Sequence, residues 1–199
     1  MSCVYVVTYR PLCSTAAGRA VKSDPPYADG SCRREPDLES PFPSITALCR
    51  GRNFAPRLKE DDRVAYVTCA RNGIWRLTAL LRVKRYFGTH EQAAAWYRSE
   101  GLPLPSNCMV AGNRPLPLNR TIGPSGCNEL KEWDRHYQQR AREHSVFLAC
   151  EPLWRNLHHP PPITREDWLA WKGRPTQTPS DAPHLWEPLW AATSRNSRV

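Results

Sequence analysis

Val64-Ala65-Tyr66-Val67, the turn Arg71-Asn72-Gly73, and then Trp75 to Tyr86 form the stretch that decides the fold. The first run is β-branched and aromatic and follows the polar Glu60-Asp61-Asp62, so it reads as a strand entered from a turn. In the second run Leu77, Ala79, Leu81 and Val83 alternate with Arg76, Thr78, Arg82 and Lys84. A period of two marks a strand with one face on a core and one polar, basic face. Leu80 is the one apolar residue out of place.

Working outward, Cys3 to Thr8 and Ser145 to Cys150 read as further strands, and Ile45 to Cys49 as a short strand or an entry segment. Thr89-His90-Glu91-Gln92 has the spacing of a capping box, which predicts a helix to about Arg98, ended by Gly101. Leu130, Trp133, Tyr137 and Ala141 fall at intervals of three and four. They predict a second helix over Asn128 to Glu143 with a single apolar stripe. Thr164-Arg165-Glu166-Asp167 is a weaker helix start before Trp168 and Trp171. Strands and helices mix without a regular alternation, which predicts an α+β fold with an antiparallel or mixed sheet. The expected organisation is one domain over 1–173 and a tail over 174–199 rich in Pro, Ser and Thr, docked through Trp186 and Trp190. A long loop spans Arg10 to Pro43, broken by Pro25-Pro26, Pro36, Pro41 and Pro43.

Composition narrows the class. With 199 residues the chain can bury a core, although 20 prolines commit much of it to loop or extended backbone. Eight Trp argue against wholesale disorder. No apolar run is long enough to span a membrane and no export signal is evident, so a cytoplasmic location is expected. The eight Cys include no Cys-x-x-Cys pair and read as reduced, mostly buried thiols. The formal charge of +9 favours a polyanionic partner. Arg50, Arg52, Arg57, Lys59, Arg63, Arg71, Arg76, Arg82, Lys84 and Arg85 interleave with Phe54, Tyr66, Trp75 and Tyr86. Basic groups neutralise phosphate and aromatic faces stack bases.

Catalytic templates find little. There is no P-loop, Gly-x-Gly-x-x-Gly, His-Glu-x-x-His or Gly-x-Ser-x-Gly. His158-His159 reads as a surface pair without a third metal ligand, and no metal or cofactor is expected. Cys108 lacks a local nucleophile signature, whereas its neighbour Asn107 offers a donor and an acceptor that suit a base edge.

Arg52-Asn53-Phe54-Ala55-Pro56-Arg57-Leu58-Lys59-Glu60-Asp61-Asp62-Arg63, running into the strand to Thr68, resembles the centre of PUA-like domains, especially the EVE, ASCH and YTH branches. The family's usual Gly-Asp is Asp61-Asp62 here, and the loop from Arg10 to Pro43 is longer than the family's. The basic, tryptophan-rich composition is also similar to nucleotide-modification-associated relatives. The resemblance covers about half the chain. It implies a bent β-barrel with flanking helices and a pocket for one flipped or single-stranded base, often modified, in DNA or RNA. It also implies base-binding roles for Thr8, Tyr9, Asn53, Thr68 and Trp75; the Pro-flanked loop, read from its own residues, would hold Asn107 over such a pocket. Arg10, Arg50, Arg52 and Arg57 would contact phosphates. Two other readings stand beside it: an ASCH-like hydrolase acting on a modified nucleoside or RNA, and a protein-interaction adaptor built on the Trp- and Pro-rich C-terminus.

Overall fold

The computed structural model describes residues 3–9, 25–69, 74–117, 130–164, 180–181, 184 and 186–194, with backbone alone for Arg50, Cys69, Ser180 and Asp181. The strands are β1 (Val4–Tyr9), β2 (Ser44–Thr46), β3 (Arg63–Cys69), β4 (Trp75–Phe87), β5 (Phe147–Arg155) and β6 (Ser180–Asp181). They form one sheet in the order β2-β5-β4-β3-β1-β6. β1 and β3 run parallel and the other pairs antiparallel. The sheet is mixed and curls into a half-barrel, so the class is α+β. Among the described residues it carries α1 (His90–Ser99), α2 (Leu130–Glu143), α3 (Trp186–Thr193) and two 3-10 turns, Arg50–Asn53 and Ala55–Arg57. No described helix is long and apolar enough to cross a membrane.

Both faces of the central strands are buried. On one face Val7 and Tyr9 of β1, Val64 and Tyr66 of β3, and Ala79, Leu81 and Val83 of β4 meet Ile45, Phe54 and Leu58. On the other, Val4, Val6, Ala65, Val67, Leu77 and Leu80 meet Trp186, Leu189 and Ala192 of α3. Over Leu77–Leu81 a second buried face replaces the expected polar, basic one, which β4 keeps further on at Arg82 and Lys84. A bulge explains the misreading: Tyr66 pairs with Ala79 but Val67 with Leu77, so Thr78 drops out of the ladder. Its hydroxyl donates to Tyr66 O at 2.9 Å. Leu80 is therefore in phase with its own face, and Leu77 is the residue that changes sides.

Local signals held where chemistry fixes them. The capping box forms, with Gln92 N donating to Thr89 Oγ1 at 3.2 Å and Thr89 N to Gln92 Oε1 at 3.3 Å. Gly101 follows in the left-handed region at φ +67°. Asp61 takes φ +70°, a conformation that glycine adopts freely. Asp62 holds that turn by accepting from Cys3 N at 2.7 Å and Lys59 N at 2.8 Å.

Two segments differ from expectation. The described part of the proline-rich stretch lies inside the protein: Ala28, Ser31, Cys32, Arg33, Asp37 and Leu38 are all buried. The C-terminal segment supplies an edge strand and a packed helix, with Trp186 buried and Trp190 43% exposed. The helix expected after Thr164 lies outside the described residues.

Candidate functional site

Proline fixes backbone angles, and here it threads a chain without regular structure through the interior, so side chains must satisfy the polar groups it buries. Asp29 accepts from Ser31 Oγ at 2.9 Å and Glu35 N at 2.8 Å. Asp37 accepts from Ser106 N and Ser106 Oγ, both at 2.7 Å. Arg33 bonds Asp134 of α2 at 2.7 Å, Ser106 O at 2.8 Å and Asn113 O at 3.0 Å. At the centre the Glu35 carboxyl accepts from Thr46 N at 3.0 Å, from the Thr46 hydroxyl, and from Asn107 Nδ2 at 3.3 Å. Burial pushes the Glu35 carboxyl up to about 8 despite these bonds, so it holds its proton at neutral pH.

One end of the sheet has the opposite character. Thr68 pairs with Tyr9 on one side and Arg76 on the other, so the three side chains share a face. Tyr9 donates its hydroxyl to Tyr27 O at 2.6 Å and meets Tyr66 edge to face at 5.8 Å between ring centroids. Arg76 Nη1 donates to Pro160 O at 2.7 Å, and residues 160–163 continue along the start of β4 through Leu77 N to Pro161 O and Ile163 N to Trp75 O. Thr68 Oγ1 and Arg76 Nε are buried and bond nothing. Around Tyr9 and Tyr66 a crevice lined by Val7, Thr8, Tyr9, Glu35, Pro36, Gly51, Phe54 and Tyr66 encloses about 10 Å³, room for a water and not for a base.

A second opening lies across the 3-10 turn Arg50–Asn53. Gly51 faces the crevice, whereas Arg52 and Asn53 line a groove of about 410 Å³ closed by Leu48, Cys49, Arg140, Glu143 and His144. That volume falls in the range of ligand sites. The turn packs closely: a Cβ on Gly51 would lie 1.8 Å from Thr46 O.

The residues anticipated from sequence therefore do not converge. Tyr9 and Thr68 come together. Thr8 alternates with Tyr9 along β1 yet also lines the crevice, whereas Trp75 lies half-buried on the opposite face, against the cluster of Leu77, Leu80 and Trp186. That places Trp75 off the wall of any pocket at Thr68. Asn107 is wholly buried and its amide is engaged by Ser44 and Glu35, so it presents no edge to a ligand. Asn53 is exposed in the groove with Arg52, and Arg57 is exposed beyond it. Arg10 and the Arg50 side chain lie outside the described atoms.

The basic strand pair also disperses. Arg63 sits over the Trp186 ring at 5.0 Å, Arg82 pairs with Glu151, and Arg85 pairs with Glu60 at 3.3 Å. Cys108 is buried, and burial pushes its thiol up to about 12. His158 and His159 are exposed, and no group of His, Cys, Asp or Glu among the described residues could hold a metal. Glu35, Arg76 and Arg140 were missed. Glu35 gave no motif, but Arg76 was visible as a charge at the start of a strand whose middle is buried on both faces. No family model, curated protein or solved structure matches the chain.

Proposed function

We propose that this protein binds nucleic acid and seats a single base, modified or not, at the end of the sheet where β1 and β3 finish, in the manner of a PUA-like module. The observation that carries the reading is that Thr68 Oγ1 and Arg76 Nε, on cross-strand partner residues, are both buried and without partners. A buried donor left unsatisfied costs roughly 1–3 kcal/mol, so such a pair is best explained by atoms that arrive with a ligand. A base edge supplies what is missing: an acceptor for the Arg76 N–H, and a donor or acceptor for the Thr68 hydroxyl. Tyr9 and Tyr66 form the inner wall, and the small crevice behind them leaves the base at the mouth rather than beside Glu35. The hydrolase reading gains nothing from Glu35, because both carboxyl oxygens are held by Thr46 and Asn107.

The test is binding of single- and double-stranded oligonucleotides, with and without modified bases, across a salt series. Wild-type affinity should fall with salt and depend on the base. Thr68→Val should weaken the preferred oligonucleotide about tenfold while leaving the salt dependence intact, as loss of one buried hydrogen bond requires. No binding at low salt, or a Thr68→Val protein with wild-type base preference, would refute the reading.

A further inference from the structure

The groove beside Arg50–Asn53 is built of two walls from distant parts of the chain. One is the 3-10 turn with Arg52 and Asn53; the other is the last turn of α2 with Arg140 and Glu143, and His144 just after it. Cationic residues at a helix C-terminus commonly serve the helix itself, by meeting its free carbonyls. Arg140 does something else. Its Nη1 reaches across to Leu48 O at 3.4 Å and Cys49 Sγ at 3.0 Å, and its guanidinium lies 5.8 Å from the Tyr137 ring centroid. A guanidinium has five N–H donors, and these bonds engage a single nitrogen.

Among the described residues Glu143 is the one carboxylate lining the groove, against Arg52 and Arg140. Burial pushes the Cys49 thiol up to about 11, so it stays neutral. The Glu143 carboxylate accepts from Gln139 Nε2 at 3.0 Å, along its own helix. Two arginines on opposite walls of an open cleft, with the Asn53 amide beside Arg52, suit a tetrahedral, multiply accepting anion. The same short turn faces the sheet-end crevice through Gly51 and the groove through Arg52 and Asn53, so the two openings are neighbours.

We infer that this groove holds backbone phosphate of the strand whose base is seated at Thr68, with Arg140 of α2 and Arg52 of the 3-10 turn as its two clamps. The inference rests on the nucleic-acid reading and adds to it a path for the strand, away from the dispersed arginines of β3 and β4. Arg140 is the residue that neither the motif nor the charge run singled out.

The experiment is the slope of log affinity against log salt for a single-stranded oligonucleotide, measured by fluorescence anisotropy on the full chain. Arg52→Gln and Arg140→Gln should each make the slope shallower by about 0.7, the loss of one phosphate contact on a single strand. Glu143→Gln should tighten binding by removing the groove's carboxylate. Because Arg52 and Glu143 are exposed, each wall carries a variant that keeps the fold even if Arg140→Gln does not. Wild-type slopes in Arg52→Gln, or unchanged affinity in Glu143→Gln, overturn the groove while leaving base binding at Thr68 standing. Wild-type protein that shows no salt-dependent binding overturns both. Loss of base preference in Thr68→Val with both slope changes intact separates the two sites.

Discussion

The polar core around Glu35 and the sheet end at Thr68 are both buried and both polar, yet one is saturated and the other is not. Around Glu35, Asp29, Asp37, Arg33, Ser44, Thr46, Ser106 and Asn107 bond one another or nearby backbone. On the paired residues Thr68 and Arg76, one buried polar atom each bonds nothing. His90 Nε2 is the third such atom among the described residues; it lies apart on α1, against Phe147, with its imidazole pushed down to about 4 by burial. The difference teaches how to separate structure from function in a buried polar region. A saturated network fixes an irregular chain in one conformation. The unsaturated pair is where the proposed ligand would complete the hydrogen bonding.

The largest test strikes the saturated side. Gly51→Ala places a Cβ 1.8 Å from Thr46 O, and Thr46 cannot retreat freely because it pairs with Phe147 and bonds Glu35. The expected cost exceeds the roughly 1–3 kcal/mol of ordinary overpacking, enough to lose most of a small domain's stability. A melting temperature near wild type would show that the turn yields and the network is looser than its bonds imply.

Glu35→Gln is the next test. The folded carboxyl titrates near 8 against an ordinary 4.5, so the folded state holds a proton that the unfolded chain releases. Its contribution is full below about pH 4.5 and is lost as pH rises to about 8, up to about 5 kcal/mol in all. Glutamine does not titrate. Denaturant midpoints at pH 5 and pH 8.5 should therefore fall less in the variant than in wild type. Parallel falls would place the titration elsewhere.

The same contrast explains what was legible in the sequence. Signals confined to a few residues read correctly: the Thr89 cap, the apolar run of β1, the Trp133–Tyr137 stripe, the docking of Trp186. The strand pair was visible, but its second buried face was not, because a bulge at Thr78 broke the period and α3 arrives from more than 100 residues away. Proline in 25–43 correctly excluded helix and strand. It could not show that a chain without regular structure lies inside, since that depends on carboxylates meeting Ser106 and Thr46 across long separations. Of the anticipated base-binding residues, Tyr9 and Thr68 share a face through strand register. Trp75 and Asn107 failed for different reasons: one faces the opposite side of the sheet, the other is engaged by the network.

The finest test applies one chemical change to both regions. Thr46→Val removes a hydroxyl that bonds Glu35 and accepts from Leu48 N at 3.1 Å, leaving buried partners unsatisfied. Its expected cost is about 2 kcal/mol. Thr68→Val removes a hydroxyl that bonds nothing and replaces it with a methyl of the same shape. Valine also favours a strand, so the unliganded protein should gain about 1 kcal/mol. Both values come from denaturant midpoints at fixed slope. Opposite signs at two buried threonines would separate scaffold from ligand seat without any ligand in hand. If Thr68→Val is destabilising by as much as Thr46→Val, the Thr68 hydroxyl has a partner within the chain, and the argument for a base at that end of the sheet loses its footing.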